Sequence, residues 1–227
     1  MSTILLLHGA LGSASQFDSF SHKLNESFTC HAIDFPLHGQ NKTQTAFSIQ
    51  NFADYLIAYI EQHHQEKVSV FGYSMGGYVA IYAASLRPDL FDGIMTLATK
   101  FKWDEEIACK EKAMLNTDEM EHKIPAFVAQ LQERHKHIEW KDLIHQTTLL
   151  LEGLGNMNLL STECLQAIPM RIRVGIGDKD AMVSLDEAID TFRQLKLGSL
   201  YVLPNTKHPF EKVDEEMLLC QFKSFFS

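Results

Sequence analysis

Apolar residues in this chain follow two rhythms: short unbroken runs, and longer stretches in which they recur every third or fourth position. Thr3 to Leu7 is a run without polar alternation, the pattern of a strand buried on both faces of a parallel sheet. Phe28 to Ile33, Val68 to Phe71, Phe91 to Leu97, Arg171 to Ile176 and Leu200 to Leu203 are further strand candidates, rich in β-favouring residues and too short for helices. Between them lie stretches with helical spacing. Phe17, Phe20 and Leu24 set a face within Ser15 to Asn25, and Phe52, Tyr55, Leu56, Tyr59 and Ile60 set one within Ile49 to His63. Val79, Ala80, Ala83 and Ala84 begin another helix, which Pro88 ends. Strand and helix therefore alternate, as in an open parallel sheet.

The alternation breaks at Lys100. From Phe101 to about Leu160 the spacing predicts helices over Trp103 to Met120, Pro125 to His135 and Trp140 to Leu151, with no convincing strand. Pro125 suits a first helical position, and Phe127, Val128 and Leu131 share a face behind it. The simplest reading is a helical cap over residues 101–165, inserted into an α/β core formed by 1–100 and 166–227. After the return to strand at Arg171, Ser184 to Leu195 is helical, with Asp186 and Glu187 suited to its positive end. Val213 to Phe226 closes the chain as an amphipathic helix. The sheet should hold about six strands.

The sharpest local feature interrupts the third run. Gly72-Tyr73-Ser74-Met75-Gly76-Gly77 stands between an apolar strand and a helix, which is the context a G-x-S-x-G nucleophile elbow requires. So tight a turn needs small residues two before and two after the serine, and Gly72 and Gly76 meet that condition. An elbow serine needs a base and an orienting carboxylate, supplied from loops at the carboxyl ends of strands. Two downstream loops qualify, Gly177 to Val183 and Pro204 to Glu211. His208 is the histidine placed after the last strand, and the order serine, acid, histidine fits. Asp178 and Asp180 both lie in the first loop, and one of them could serve merely to cap the turn.

The motifs H-G-x-x-G (His8 to Gly12), Asp34 to Asn41, G-x-S-M-G-G (Gly72 to Gly77), G-x-x-D-x-x-V (Gly177 to Val183) and Lys207-His208 occur in order. Together they resemble the α/β-hydrolase-fold enzymes, of the small capped MenH-like or BioH-like esterase type. The resemblance covers nearly all of the chain outside the cap. It implies that Asp180 is the acid of a Ser74–His208–Asp180 triad, that the backbone N–H groups of Ala10 and Met75 form an oxyanion hole, and that His8 fixes its loop. Leu37 and Asn41 stand where glycine and serine are expected, which should loosen the loop beneath the site; Lys207 replaces a glycine before His208.

The expected reaction is acyl transfer to water, from an ester or thioester of a small apolar or aromatic substrate, with no metal or organic cofactor. Phe101, Trp103, Phe127, Trp140 and Leu149 to Leu151 could line a pocket or pack the cap. One alternative is a MenH-like lyase using the same residues for proton abstraction. That enzyme type should carry an arginine directly after G-x-S-M-G-G to hold a substrate carboxylate; Tyr78 stands there, leaving Lys100, Lys102 or Arg171 as substitutes. A ligand-binding homologue without activity is the other alternative.

Composition narrows the partners. A net charge of −9 argues against nucleic acid, since no basic face could dominate it. No run reaches transmembrane length, and the N-terminus shows no basic segment or long apolar core of a signal peptide, so a cytoplasmic protein acting on a small molecule is expected. Cys30, Cys109, Cys164 and Cys220 are widely spaced and read as free, mostly buried thiols of a reducing compartment. His63-His64 and His135-Lys136-His137 lie in charged stretches and read as solvated surface histidines. No sequence feature sets an oligomeric state.

Overall fold

The computed structural model describes residues 3–25 and 27–227; the first two residues of the predicted core segment, and Glu26, lie outside the described residues. Six strands form one sheet: β1 (Thr3–Leu7), β2 (Thr29–Ile33), β3 (Val68–Tyr73), β4 (Phe91–Leu97), β5 (Arg171–Gly177) and β6 (Gly198–Leu203). All neighbours pair in parallel, in the order β2-β1-β3-β4-β5-β6. The chain winds one way from β1 to β2 and then crosses to the other side of β1. The carboxyl ends of β1 and β3 consequently flank a topological switch point, the crevice where open α/β sheets place ligands.

Alternation along the strands divides the interior into two cores. Leu5, Leu7, Val70 and Ile94 face α2 (Ile49–His63), α3 (Met75–Leu86) and the helices inserted after β4. Ile4, Leu6, Phe71 and Met95 face α1 (Asp18–Leu24) on the opposite side, together with the C-terminal helix Glu215–Phe226. On that second face Phe20 and Phe222 meet edge-to-face at 5.0 Å and both are fully buried. Each such ring contributes about 1.5–3 kcal/mol by leaving water. Every residue of β3 is buried, which explains its unalternating sequence.

Between β4 and β5 the chain is helical, as expected: α4 (Glu105–Ala113), α5 (Thr117–Lys123), α6 (Pro125–Arg134), α7 (Trp140–Asn156) and α8 (Thr162–Ala167). The boundaries differ in three places. The stretch Trp103 to Met120 is two helices, because the Asn116 side chain accepts hydrogen bonds from the N–H groups of Asp118 and Glu119 and starts α5 afresh. Helix α7 runs on past Leu151, through Gly153 and Gly155, to Asn156. Helix α8 was not expected; Ser161 caps it by accepting from the Cys164 N–H. Beyond β5, α9 (Leu185–Gln194) and α10 (Glu215–Phe226) complete the layers.

The cysteines depart from expectation. Cys109 and Cys220 are exposed and Cys30 and Cys164 half-buried, so the free thiols are not mostly buried. Cys220 sits on the side of α10 away from its buried stripe of Leu218, Phe222 and Phe225. Glu187 lies in the first turn of α9, as expected, and is in addition buried, accepting from the N–H groups of Phe101 (2.5 Å) and Lys102 (2.8 Å) ahead of α4. Among the described residues no helix is long and apolar enough to cross a membrane.

Candidate active site

Ser74 occupies a sharp turn between β3 and α3, with φ 51° and ψ −118°. For a residue with a Cβ this conformation stores roughly 1–3 kcal/mol of strain, and the surroundings must hold it. Its N–H donates to the Leu97 carbonyl (2.9 Å) and its own carbonyl accepts the Thr99 hydroxyl (3.0 Å). A Cβ on Gly72 would collide with the backbone of Gly77, and one on Gly76 with the Leu7 carbonyl. The two glycines are therefore required by close approach of β3, α3 and β1, which is what lets the serine sit in so tight a turn at the carboxyl end of β3.

His208 comes from the loop after β6. Its Nδ1 lies 2.8 Å from Asp180 Oδ2 and its Nε2 lies 3.4 Å from Ser74 Oγ. A carboxylate only accepts, so the ring proton sits on Nδ1 and Nε2 is left to accept from the serine hydroxyl. The latter contact is long, as is common before a substrate tightens it. The Tyr73 hydroxyl donates to the His208 carbonyl (2.9 Å) and fixes the histidine backbone. Asp180 Oδ1 accepts the N–H groups of Met182 (2.8 Å) and Val183 (2.9 Å). Burial pushes the Asp180 carboxyl upward, but the His208 interaction and those two N–H groups outweigh it and hold the acid below the usual carboxylate range. Asp178 faces elsewhere: its Oδ1 accepts the Thr206 N–H (3.2 Å) and links the two loops. The structure thus brings Ser74, His208 and Asp180 together and leaves Asp178 as a loop tether.

Ala10 and Met75 lie beside Ser74 in the wall of one cavity. Met75 opens α3, where N–H groups lack intrahelical acceptors and the helix end is positive. Ala10 belongs to the turn after β1. His8 is fully buried there: its Nε2 accepts the Phe35 N–H (3.1 Å) and its Nδ1–H therefore donates to the Gly9 carbonyl (2.8 Å). Burial pulls His8 down to about 4, so it stays neutral near pH 7 and serves as a fixed donor.

The loop after β2 is not loosened by its departures from the expected motif. Leu37 adopts the left-handed conformation a glycine would take, at φ 59°. Asn41 donates to the Asp34 carbonyl (2.9 Å), while the Asp34 carboxylate accepts from Ala14 (2.6 Å) and Gln40 (2.8 Å). Polar ties replace what glycine and serine would have supplied.

The cavity holds about 640 Å³, within the range of small-molecule sites. Helices α6 and α7 supply its far wall, mostly apolar, through Phe127, Leu150, Leu151 and Leu154, with Trp103 and Leu115, which follows α4, beside them. Of the other aromatic and leucine candidates, Phe101 and Trp140 are buried in packing and Leu149 is exposed. Of the three cations considered, Lys100 lines the cavity, paired with Glu111 at 3.2 Å. Lys102 pairs with Asp190 at the surface, and Arg171 lies over the Phe225 ring at the far end of β5. Tyr78 is fully engaged: its hydroxyl donates to Asn158 Oδ1 (2.6 Å) and accepts from the N–H groups of Leu159 (3.0 Å) and Leu160 (3.2 Å).

One residue at the site carried no signal in the sequence, and one expectation beside it is overturned. Arg134 lines the cavity, and its neighbour His135, expected at the solvated surface, is fully buried. Charged neighbours gave no sign that the end of α6 turns inward. Among the described residues, no group of three His, Cys, Asp or Glu side chains is arranged to hold a metal ion.

Residues 2–134 match the family model described as alpha/beta hydrolase fold. An uncharacterized hydrolase of Bacillus subtilis, YugF, is 30% identical over 99 residues, covering 43% of this chain and 36% of that protein. A pimeloyl-[acyl-carrier protein] methyl ester esterase of Neisseria meningitidis is 31% identical over 86 residues, covering 38% of this chain and 32% of that protein. The chain thus aligns with about a third of the length of each. In three dimensions it is similar to a thermophilic esterase from Thermogutta terrifontis, with TM-score 0.79 and 19% identity over 100% of this chain and 89% of that one.

Proposed function

The chain belongs to the alpha/beta hydrolase fold family, and from that membership we propose that it cleaves a carboxylic ester or thioester of a small apolar or aromatic substrate through an acyl-enzyme on Ser74. The observation that carries this reading is the hydrogen-bonded line Ser74 Oγ–His208 Nε2, His208 Nδ1–Asp180, opening on an apolar cavity. His208 takes the serine proton as Oγ attacks the carbonyl carbon, and Asp180 steadies the imidazolium. The N–H groups of Ala10 and Met75 receive the oxyanion, each such donor being worth about 2.7–4 kcal/mol at the transition state. Collapse expels the alcohol or thiol with the proton from His208. Water then attacks the acyl group with His208 again as base, releasing acid and restoring Ser74. No step calls on a metal or organic cofactor.

On this reading residues 101–165 act as a cap closing the acyl pocket over a core of 1–100 and 166–227. The small capped, BioH-like esterase type is favoured by the partial identity to a methyl ester esterase. The proton-abstraction alternative needs a cation for the substrate carboxylate: directly after the elbow the Tyr78 hydroxyl is committed to Asn158, Leu159 and Leu160, and Lys100, the substitute that lines the cavity, is paired with Glu111. Four free cysteines favour a reducing, cytoplasmic setting. A panel of p-nitrophenyl esters of increasing acyl length tests the proposal. Wild type should turn them over, and Ser74→Ala should lower kcat by on the order of 10⁴–10⁶. An inactive wild type across the panel would overturn the esterase reading.

A further inference from the structure

The turn that carries Ala10 is held from outside the core. Gly12 N–H donates to the Gly9 carbonyl (3.1 Å), closing a turn in which Leu11 takes φ 60°, a left-handed conformation that L side chains adopt under constraint. The Leu11 carbonyl accepts two donors from the end of α6. Arg134 Nη1 lies 3.1 Å away and His135 Nε2 lies 3.1 Å away. The His135 ring is fully buried, and its Nδ1 accepts the Gly39 N–H at 3.0 Å, which places the ring proton on Nε2. One imidazole therefore spans the loop after β1, the loop after β2 and the end of α6.

We propose that His135, with Arg134 beside it, is a positioning residue that sets the oxyanion donor at Ala10. The inference rests on the hydrolase reading above. Peptide units are planar and trans, so the carbonyl and the following N–H point to opposite sides. Pinning the Leu11 carbonyl to α6 turns the Gly12 N–H back toward Gly9. The Gly9 carbonyl, held by Gly12 and His8, in turn sends the Ala10 N–H to the other side of that peptide. Release of the Leu11 carbonyl would let its strained turn relax, and the Ala10 donor would move with it. The inserted helices then do more than cover the acyl pocket: their seating assembles half of the oxyanion hole.

The test is kinetic, with p-nitrophenyl butyrate as substrate and an aryl trifluoromethyl ketone as inhibitor. Ser74 adds to the ketone carbon, passes its proton to His208 and leaves an oxyanion that only a well-placed hole can hold. His135→Asn keeps an acceptor near Gly39 and removes the donor to Leu11. It should lower kcat by about 10–100-fold with KM little changed, and weaken the ketone by a similar factor, as expected for a donor shifted by a fraction of an ångström to an ångström. His135→Gln reaches the Nε2 position with an amide N–H and should recover most of that loss. If His135→Asn does not fold, Arg134→Met carries the test, since it removes the second donor from a partly exposed side chain. A folded His135→Asn or Arg134→Met with kcat and ketone affinity near wild type overturns the inference, as does a rise in KM alone. If wild type itself turned over no ester, the hydrolase reading would fail first and this one with it.

Discussion

Replacing Tyr78 by Phe removes one oxygen and little else, yet that oxygen joins α3 to the segment between α7 and α8. The hydroxyl donates to Asn158 Oδ1 and accepts from the N–H groups of Leu159 and Leu160. Leu160 N–H retains Asn158 Oδ1 at 3.3 Å, so it keeps a partner. Leu159 N–H loses the acceptor it has here, at about 1–3 kcal/mol for a desolvated donor, and the bond to Asn158 adds about 1 kcal/mol. The side chain is 2% exposed, so water has little room to replace the lost groups. The sum is about 2–4 kcal/mol. For a chain of this length each kcal/mol moves Tm by roughly 2–4 °C, giving a fall of roughly 4–16 °C. Calorimetry and urea unfolding should agree, with the urea midpoint lowered and the slope unchanged. A Tm within about 2 °C of wild type would refute the assignment of Tyr78 as the bolt between elbow helix and inserted segment.

Two further outcomes follow from the site. Asp180→Asn should lower kcat by about 10³–10⁴, because the amide no longer selects the Nδ1–H tautomer of His208, whereas Asp178→Asn should leave kcat far less affected; equal losses in steady-state kinetics would remove Asp180 from its role. Acid stability should report the buried imidazoles. Burial pulls His135 down to about 4, whereas the unfolded side chain takes a proton near 6.5. The unfolded state therefore binds more protons between those values, and stability present above pH 6.5 is lost as pH falls toward 4. His135 accounts for on the order of 3 kcal/mol of this, and His135→Gln should flatten that part of the curve in urea titrations at stepped pH.

Much of this was legible from residue order because strong local constraints coincide with tertiary ones. A parallel sheet buried on both faces forces unbroken apolar runs, so β1, β3 and β4 declare themselves. The elbow is legible because close approach excludes any Cβ at Gly72 and Gly76. What was not legible depends on where long-range contacts point a side chain. His135 lies among charges in the sequence, yet two backbone groups distant in the chain draw it inside. Leu37 stands where glycine was expected and still takes the left-handed turn, because Asp34 and Asn41 tie the loop around it. Glu187 is the helix-end charge it looks like, and is also an acceptor for a crossing chain, which nothing in the sequence signals. His135 and Glu187 depend on partners far away in sequence, Leu37 on ties within its own loop.

The central claim is that Ser74 is a nucleophile activated by His208. Intact-mass spectrometry after exposure to a fluorophosphonate tests it without knowledge of the natural substrate. Wild type should gain a single adduct, mapped to the peptide containing Ser74, with no adduct on Ser74→Ala and only slow labelling of His208→Ala. A wild type that stays unmodified, or a Ser74→Ala protein that labels as wild type does, would contradict the account.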